Sequence, residues 1–152
     1  MITYLGLGSN LGSDKSHNLR QAIHLINEQA GHVLACSSFI ESIPWGFVSD
    51  NTFLNAVITI DTPHTPHKLL DITQSIEREM GRTHKTINQD YTDRIIDIDI
   101  LLYGNSCIND SRLTIPHPYL LKRHFVYAPL LEIAPDIIYP TTGTPLATLI
   151  EK

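Results

Sequence analysis

Sulfur, tryptophan and charge are all scarce in this chain. Two cysteines, Cys36 and Cys107, are too few for a disulfide framework or a cysteine-built zinc site. Each reads instead as a small packing residue. No run approaches the roughly 18 consecutive apolar residues that a membrane span needs. The opening Met1-Ile2-Thr3-Tyr4 has neither a basic stretch nor a long apolar one, so no secretory signal is expected. Charged residues make up only 18% of the chain, but hydrophobic ones reach 42%, enough to fill a core and exclude wholesale disorder. A length of 152 residues suits one domain, expected to span 1–152. These absences describe a cytoplasmic, soluble protein, expected to be a monomer that binds neither membrane nor nucleic acid.

The net charge of -5 argues against a general nucleic-acid binder. Its distribution is uneven. Arg78, Arg82, Lys85, Arg94, Arg112, Lys122 and Arg123 crowd into one third of the chain, interleaved with Glu79, Asp90, Asp93, Asp97, Asp99 and Asp110. Such mixing is what a site for a polyphosphate and its metal ions requires.

Two familiar nucleotide loops are also missing. Gly6-Leu7-Gly8-Ser9-Asn10-Leu11-Gly12 has Leu11 where a dinucleotide fingerprint needs its third glycine. No Gly-Lys-Ser/Thr occurs to end a Walker A loop. The segment reads as a strand-to-helix turn.

Around that turn the periodicities are clear. Residues 2–8 read as a buried strand. Ser13 or Asp14 can cap a helix running to about Ala30, with Leu19, Ala22, Ile23 and Ile26 on its inner face and Gly31 as its stop. Residues 32–41 are β-branched and aromatic enough for one strand, broken by Ser42-Ile43-Pro44-Trp45-Gly46. Residues 53–61 alternate, with Leu54, Ala56, Ile58 and Ile60 on one face and Phe53, Asn55, Val57 and Thr59 on the other. Thr65-Pro66 starts a second helix whose stripe is Leu69, Ile72, Thr73, Ile76 and Met80, ending at Gly81. Residues 82–93 form a long polar loop. Residues 95–103 are a strand, residues 126–133 a short helix and residues 146–150 a final helical turn. The order predicts an α+β, ferredoxin-like βαββαβ sandwich, with an antiparallel sheet, helices packed on one face and a C-terminal extension. The other face is then open to a ligand.

Asp97-Ile98-Asp99 is the sharpest local feature. Alternation sends both carboxylates to one side, about 7 Å apart, with Ile96, Ile98, Ile100 and Leu102 as the core-facing row. Nothing in strand propensity favours aspartate there. Oxygen ligands on a rigid element suit Mg²⁺. Arg82, Lys85, Arg94, Arg112 and Arg123 can neutralise a triphosphate. Phe53 and Phe125 can sandwich a flat heterocycle whose edge Asn55 reads. His117, in Pro116-His117-Pro118, can donate to phosphate or serve as a structural histidine.

These residues recur together in one family. Gly8-Ser9-Asn10-Leu11-Gly12, Phe53-Leu54-Asn55-Ala56, Glu77 with Gly81-Arg82, and Arg94 with Asp97 and Asp99 are part of the pattern. So are Leu113-Thr114-Ile115-Pro116-His117 and Arg123 with Phe125, Pro129, Leu130, Glu132 and Pro135. In that order, over essentially the whole chain, they resemble the 6-hydroxymethyl-7,8-dihydropterin pyrophosphokinases of folate biosynthesis. The resemblance implies an enzyme that moves the pyrophosphoryl group of ATP to the pterin hydroxymethyl, giving AMP. It implies Asp97 and Asp99 as holders of two Mg²⁺ ions, and Arg82 and Arg94 as catalytic arginines. Ser42, Trp45, Phe53, Asn55 and Phe125 match pterin-pocket positions. Gln74, Glu77, Lys85, Arg94, Ile100, Arg112, Thr114, His117 and Arg123 match positions around ATP. The chain departs from the family at Tyr91-Thr92-Asp93, where a tryptophan followed by Gly/Ala and Pro is common. It departs also at His84, Ile43 and Trp45. An RNA-binding module of the RRM type has the same element order, and a metal-free domain that only senses a nucleotide is a third reading. The aromatic strand motif of an RRM is missing, and the net charge opposes RNA.

Overall fold

The computed structural model describes residues 1–11, 14–43, 52–81 and 95–150. A sheet of β1 (Ile2–Ser9), β2 (His32–Cys36), β3 (Ile40–Ser42), β4 (Phe53–Asp61) and β5 (Asp97–Tyr103) runs in the order β2-β4-β1-β5, with β3 also paired to β4. All its pairings are antiparallel. With α1 (Lys15–Gln29) and α2 (Pro66–Gly81) this is the expected ferredoxin-like arrangement. The C-terminal part adds a hairpin of β6 (Ile108–Asn109) and β7 (Thr114–Ile115), helix α3 (His124–Ile133) and a hairpin of β8 (Ile138–Tyr139) and β9 (Thr144–Pro145). A 3-10 turn, Leu146–Leu149, follows.

Local chemistry sets the helix ends. The Asp14 carboxylate accepts from the His17 N–H at 3.0 Å, capping α1. Thr65 and Pro66 start α2 as expected, and its buried stripe is Leu69, Thr73 and Ile76. Gly31 has a different reason for being glycine. Its φ is not positive, but an added Cβ would lie 2.7 Å from the Asp61 carbonyl oxygen. The turn after α1 therefore needs glycine for close approach rather than for a left-handed cap.

The single strand expected over 32–41 is broken in two. Ser37 causes the break. Its Oγ accepts from the Val57 N–H at 2.9 Å, and its own N–H donates to the Val57 carbonyl at 2.9 Å, so a side chain takes one rung of the ladder.

Two cores flank the sheet. On one face Leu5, Leu7, Ala56, Ile58, Ile60, Ile98 and Ile100 pack with Leu19, Ile26, Leu69 and Ile76 of the two long helices. On the other, Val57, Leu101 and Leu102 pack with Leu120, Leu130 and Leu146. The second face is thus partly roofed by α3 and the C-terminal extension, not open along its length. Leu102 also departs from its expected row. The register between β1 and β5 slips at Tyr4/Leu5, where Leu5 pairs with Ile100 and Tyr4 with Leu102. The inserted Leu101 reverses the alternation, so Leu102 joins the α3 side and Tyr103 the helix side.

Candidate active site

What the C-terminal roof leaves is one end of that second face. Opposed residues of antiparallel strands share a face. Gly8 of β1 pairs with Asn55 of β4 on one side and with Asp97 of β5 on the other, and Gly6 pairs with Val57 and Asp99. Glycine in the central strand therefore separates an amide from two carboxylates. At about 4.8 Å between strands, the Asn55 and Asp97 backbones stand roughly 10 Å apart across a floor with no side chain. The floor is cramped on the Asn55 side. A Cβ on Gly8 would lie 3.2 Å from Asn55 Oδ1 and 3.4 Å from the Phe53 ring.

Asn55 is buried and its orientation is set. Its Nδ2 donates to Ser42 Oγ at 2.9 Å and to the Ile40 carbonyl at 3.2 Å, leaving Oδ1 over Gly8. Ser42 lies opposite Phe53 in the β3–β4 pairing, so hydroxyl, ring and amide line one wall. Phe125, half-buried in the first turn of α3, is carried against the same strands by the packing of α3 on β3 and β4. A clamp holds that packing. The Glu132 carboxylate accepts from the Ser38 N–H at 3.0 and 3.1 Å and from Ser38 Oγ at 2.7 Å.

At the other wall Asp97 and Asp99 are half-exposed, and the intervening Ile98 is buried. β5 is an edge strand. The Ile98 N–H, between the two acids, donates to Glu77 Oε2 of α2 at 2.7 Å. A charge-assisted bond of this kind fixes the strand from which both carboxylates project.

His117 faces the acids. Its Nδ1 accepts from the Tyr119 N–H at 3.1 Å, so the neutral ring carries its proton on Nε2, and Nε2 lies 3.9 Å from Asp99 Oδ2. That separation is too long for a hydrogen bond. Burial lowers the His117 pKa to about 4; the Arg123 charge adds to the drop and Asp97 partly opposes it. The ring is therefore a neutral donor near pH 7. Arg123 is the N-cap residue of α3, and its guanidinium carbon lies 4.6 Å from the Tyr119 ring centroid and 5.9 Å from that of Phe125.

The remaining nucleotide positions are spread along α2 and β7. Gln74 is exposed on α2, and Thr114 is half-buried on β7. Arg112 donates to Asp71 at 2.6 Å. That contact holds the Asp71 carboxyl below its usual range. Next to it, the Asp110 carboxylate accepts from the Arg112 and Leu113 N–H groups and meets His67 Nε2 at 2.7 Å. The Ile100 side chain is 4% exposed and belongs to the helix-side core, so only its main chain can serve a ligand. Trp45, Arg82, Lys85 and Arg94 lie outside the described residues, as do the family departures at His84 and Tyr91-Thr92-Asp93. Ile43 is 77% exposed beside the Ser42 wall. Sequence reasoning passed over Gly8 as a floor and Tyr119 as a neighbour of Arg123. The signal for Gly8 was its place in a strand otherwise rich in aliphatics; Tyr119 had none.

The donor set fits Mg²⁺. Paired carboxylates on a rigid strand offer oxygen ligands, and no three His, Cys, Asp or Glu gather into a metal-binding group among the described residues. Such a half-shell suits an ion that completes its coordination with phosphate oxygens and water.

Comparison with known proteins places this arrangement. A family model described as 7,8-dihydro-6-hydroxymethylpterin-pyrophosphokinase (HPPK) matches residues 4–135. A Porphyromonas gingivalis protein named 2-amino-4-hydroxy-6-hydroxymethyldihydropteridine pyrophosphokinase is 44% identical over 145 residues, covering 95% of this chain and 97% of the relative. A Methylorubrum extorquens protein of the same name is 43% identical over 136 residues, covering 89% of this chain and 84% of the relative. The crystal structure of wild-type Plasmodium falciparum HPPK-DHPS has a TM-score of 0.76 at 16% identity. It covers 97% of this chain, which spans only 44% of that longer one, and the likeness is one of fold.

Proposed function

The chain belongs to the 7,8-dihydro-6-hydroxymethylpterin-pyrophosphokinase family, and on that footing we propose that it transfers the pyrophosphoryl group of ATP to the hydroxymethyl of 6-hydroxymethyl-7,8-dihydropterin. The products are AMP and the pterin diphosphate, and the step belongs to folate biosynthesis. The family match favours this ATP-dependent diphosphotransferase over the RNA-binding and nucleotide-sensing readings. The chain works as one domain over 1–152, as a cytoplasmic monomer on small-molecule substrates. No helix among the described residues is long and apolar enough to cross a membrane.

One observation carries the reading. An amide and an aromatic ring stand on one side of a bare glycine floor and two carboxylates on the other. A pterin ring held by Phe53, Phe125, Asn55 and Ser42 would present its hydroxymethyl across Gly8 toward Asp97 and Asp99. By the family pattern Trp45 is assigned to the pterin as well. Gln74, Glu77, Ile100 and Thr114 lie around ATP, and Lys85, Arg112, His117 and Arg123 meet its phosphates. Arg82 and Arg94 steady the charge that develops on the transferred group. A pair of Mg²⁺ ions held by Asp97 and Asp99 supplies charge neutralisation on the polyphosphate and a lower pKa for the attacking hydroxyl.

The test is direct. With ATP, Mg²⁺ and the reduced hydroxymethylpterin, the protein should release AMP and pterin diphosphate in equal amounts. ADP with a pterin monophosphate, or no AMP, would overturn the reading. Asp97→Asn and Asp99→Asn should each lower turnover by about 10²- to 10³-fold, the scale seen when one transition-state contact is removed, while pterin binding by fluorescence survives. Near-normal turnover in both variants would refute the metal role.

A further inference from the structure

Arg112 sits in the turn that joins β6 to β7. The Asp110 N–H donates to the Leu113 carbonyl at 3.0 Å and closes that turn. Inside it, Asp110 Oδ1 accepts from the N–H groups of Arg112 and Leu113, both at 2.9 Å. A carboxylate bonded to its own backbone two and three residues on keeps such a turn in one shape. Leu113, buried in the helix-side core, anchors the far end. The Arg112 N–H, with His67 adding to it, holds the Asp110 carboxyl below its usual range.

Helix α2 grips this turn at two points. His67 and Asp71 are four residues apart, so they share a helix face. His67 Nε2 meets Asp110 Oδ2 at 2.7 Å, and Asp71 Oδ1 accepts from Arg112 Nη2 at 2.6 Å. Arg112 is therefore held at both ends, its main chain through Asp110 and its guanidinium by Asp71. Gln74 lies further along the same helix, and Thr114 follows the turn on β7. The arginine thus stands between the two elements that carry these nucleotide positions.

The Asp71 contact has little to do with stability. The two side chains are 48% and 55% exposed, and ion pairs in that setting contribute almost nothing to folding. Its effect falls on conformation. A long exposed arginine loses rotamer freedom when it captures a ligand, and a tethered one has lost part of that freedom already. The tether is slight. Among the described residues this is the guanidinium's one hydrogen bond, and a guanidinium has five donors.

We propose that Asp71 is a positioning residue for ATP capture, holding the Arg112 guanidinium in place so that the polyphosphate meets an arginine already ordered. The inference rests on the reading above that Arg112 meets the phosphates. Asp71 touches no substrate and acts through Arg112 alone.

The experiment compares Asp71→Ala, Arg112→Ala and the Asp71→Ala/Arg112→Ala double variant with the parent. Lys68 and His67 also lie near the Asp71 charge, so the cycle is what isolates the pair. The probe is Mg²⁺ with α,β-methylene-ATP, whose carbon bridge replaces the bond that pyrophosphoryl transfer breaks. Its Kd is read by calorimetry, beside the melting temperature and kcat at saturating ATP. Asp71→Ala should raise the Kd by about 2- to 10-fold, the range for ordering one long side chain. Melting temperature and kcat should stay near those of the parent, and Asp71→Ala should add nothing once Arg112 is gone. An unchanged Kd in Asp71→Ala overturns the proposal. A lower Kd also overturns it, since Asp71 would then compete with the phosphates for Arg112. So does an equal Asp71→Ala effect with and without Arg112, or a rise in Kd matched by a fall in melting temperature. If Arg112→Ala leaves the Kd intact, the assignment of Arg112 to the phosphates fails, and the positioning role fails with it. Analogue binding involves no turnover, so a parent that binds the analogue yet releases no AMP from ATP would overturn the transfer reading alone.

Discussion

At the scale of single residues, the site is shaped as much by missing side chains as by present ones. Gly8 has ordinary backbone angles, so alanine is allowed conformationally. What opposes it is the 3.2 Å approach to Asn55 Oδ1, tighter than an ordinary contact, so the amide would have to shift. Gly8→Ala should push the Asn55 amide aside and weaken pterin binding by about tenfold, or ~1.4 kcal/mol, as read by fluorescence titration. Gly6→Ala is the control. There the added Cβ meets only Leu101 at 3.4 Å, an ordinary contact, and pterin affinity should hold. His117 makes a prediction about pH. Its folded pKa, about 4, lies below the ordinary 6.5. Between those values the unfolded chain takes up a proton that the folded chain refuses. The contribution is fully present above pH 6.5 and is lost as pH falls toward 4. In metal-free protein, nitrogen NMR should find a neutral ring protonated on Nε2 at pH 7. Replacing His117 with Asn should flatten this part of the pH–stability curve measured in urea. A ring that titrates near 6.5 would contradict the burial argument.

At the scale of elements, ties between neighbours set the width of the site. Glu77 reaches from α2 to the Ile98 N–H and so fixes β5 at the sheet edge. Glu132 reaches from α3 to Ser38 and so fixes the helix that brings in Phe125. The Ser38 clamp uses a carboxylate and two donors, and hydrogen bonds to charged groups contribute about 1.5–3 kcal/mol each. Its exposure places the effect at the low end. Glu132→Ala should lower unfolding stability by about 1–2 kcal/mol and raise the KM for pterin more than that for ATP, because Phe125 loses its anchor on the pterin side. Equal rises in both KM values would indicate a general loosening of the fold. The Arg112–Asp71 contact is of a different kind. Both partners are about half-exposed, and such pairs contribute little to stability.

At the scale of the whole molecule, the sheet is shared by two cores that differ in size and in purpose. The α1–α2 side carries most of the apolar burial. The α3 side is smaller and covers only part of its face, and the uncovered part is where Asn55, Gly8 and Asp97 meet. Leu130 is fully buried at the centre of that smaller core. Leu130→Ala should cost about 2–5 kcal/mol, measured by urea unfolding. It should also impair pterin binding ahead of metal-dependent ATP binding, since the roof and not the β5 edge is what loosens.

Much of this was legible from local pattern. The alternation of Leu54, Ala56, Ile58 and Ile60 against Phe53, Asn55 and Val57 assigned β4 and both its faces correctly, because a pleated strand has a strict period of two. The cap expected at Ser13 or Asp14 and the Thr65-Pro66 start placed both long helices, because capping depends on residues a few positions apart. The aspartate pair stood out because a strand has no use for it.

Other features needed the tertiary structure, since each depends on residues far apart in sequence. Ser37 breaks a strand by taking a rung opposite Val57, which no property of residues 32–41 announces. The bulge at Leu101 sends Leu102 to the opposite core from its predicted row, because register is decided by the partner strand. Gly31 is needed for an approach to Asp61, thirty positions away. Chain-local chemistry determined the elements and which residues carry function; the distances at which those residues meet were decided by contacts between segments that become neighbours only when the chain folds.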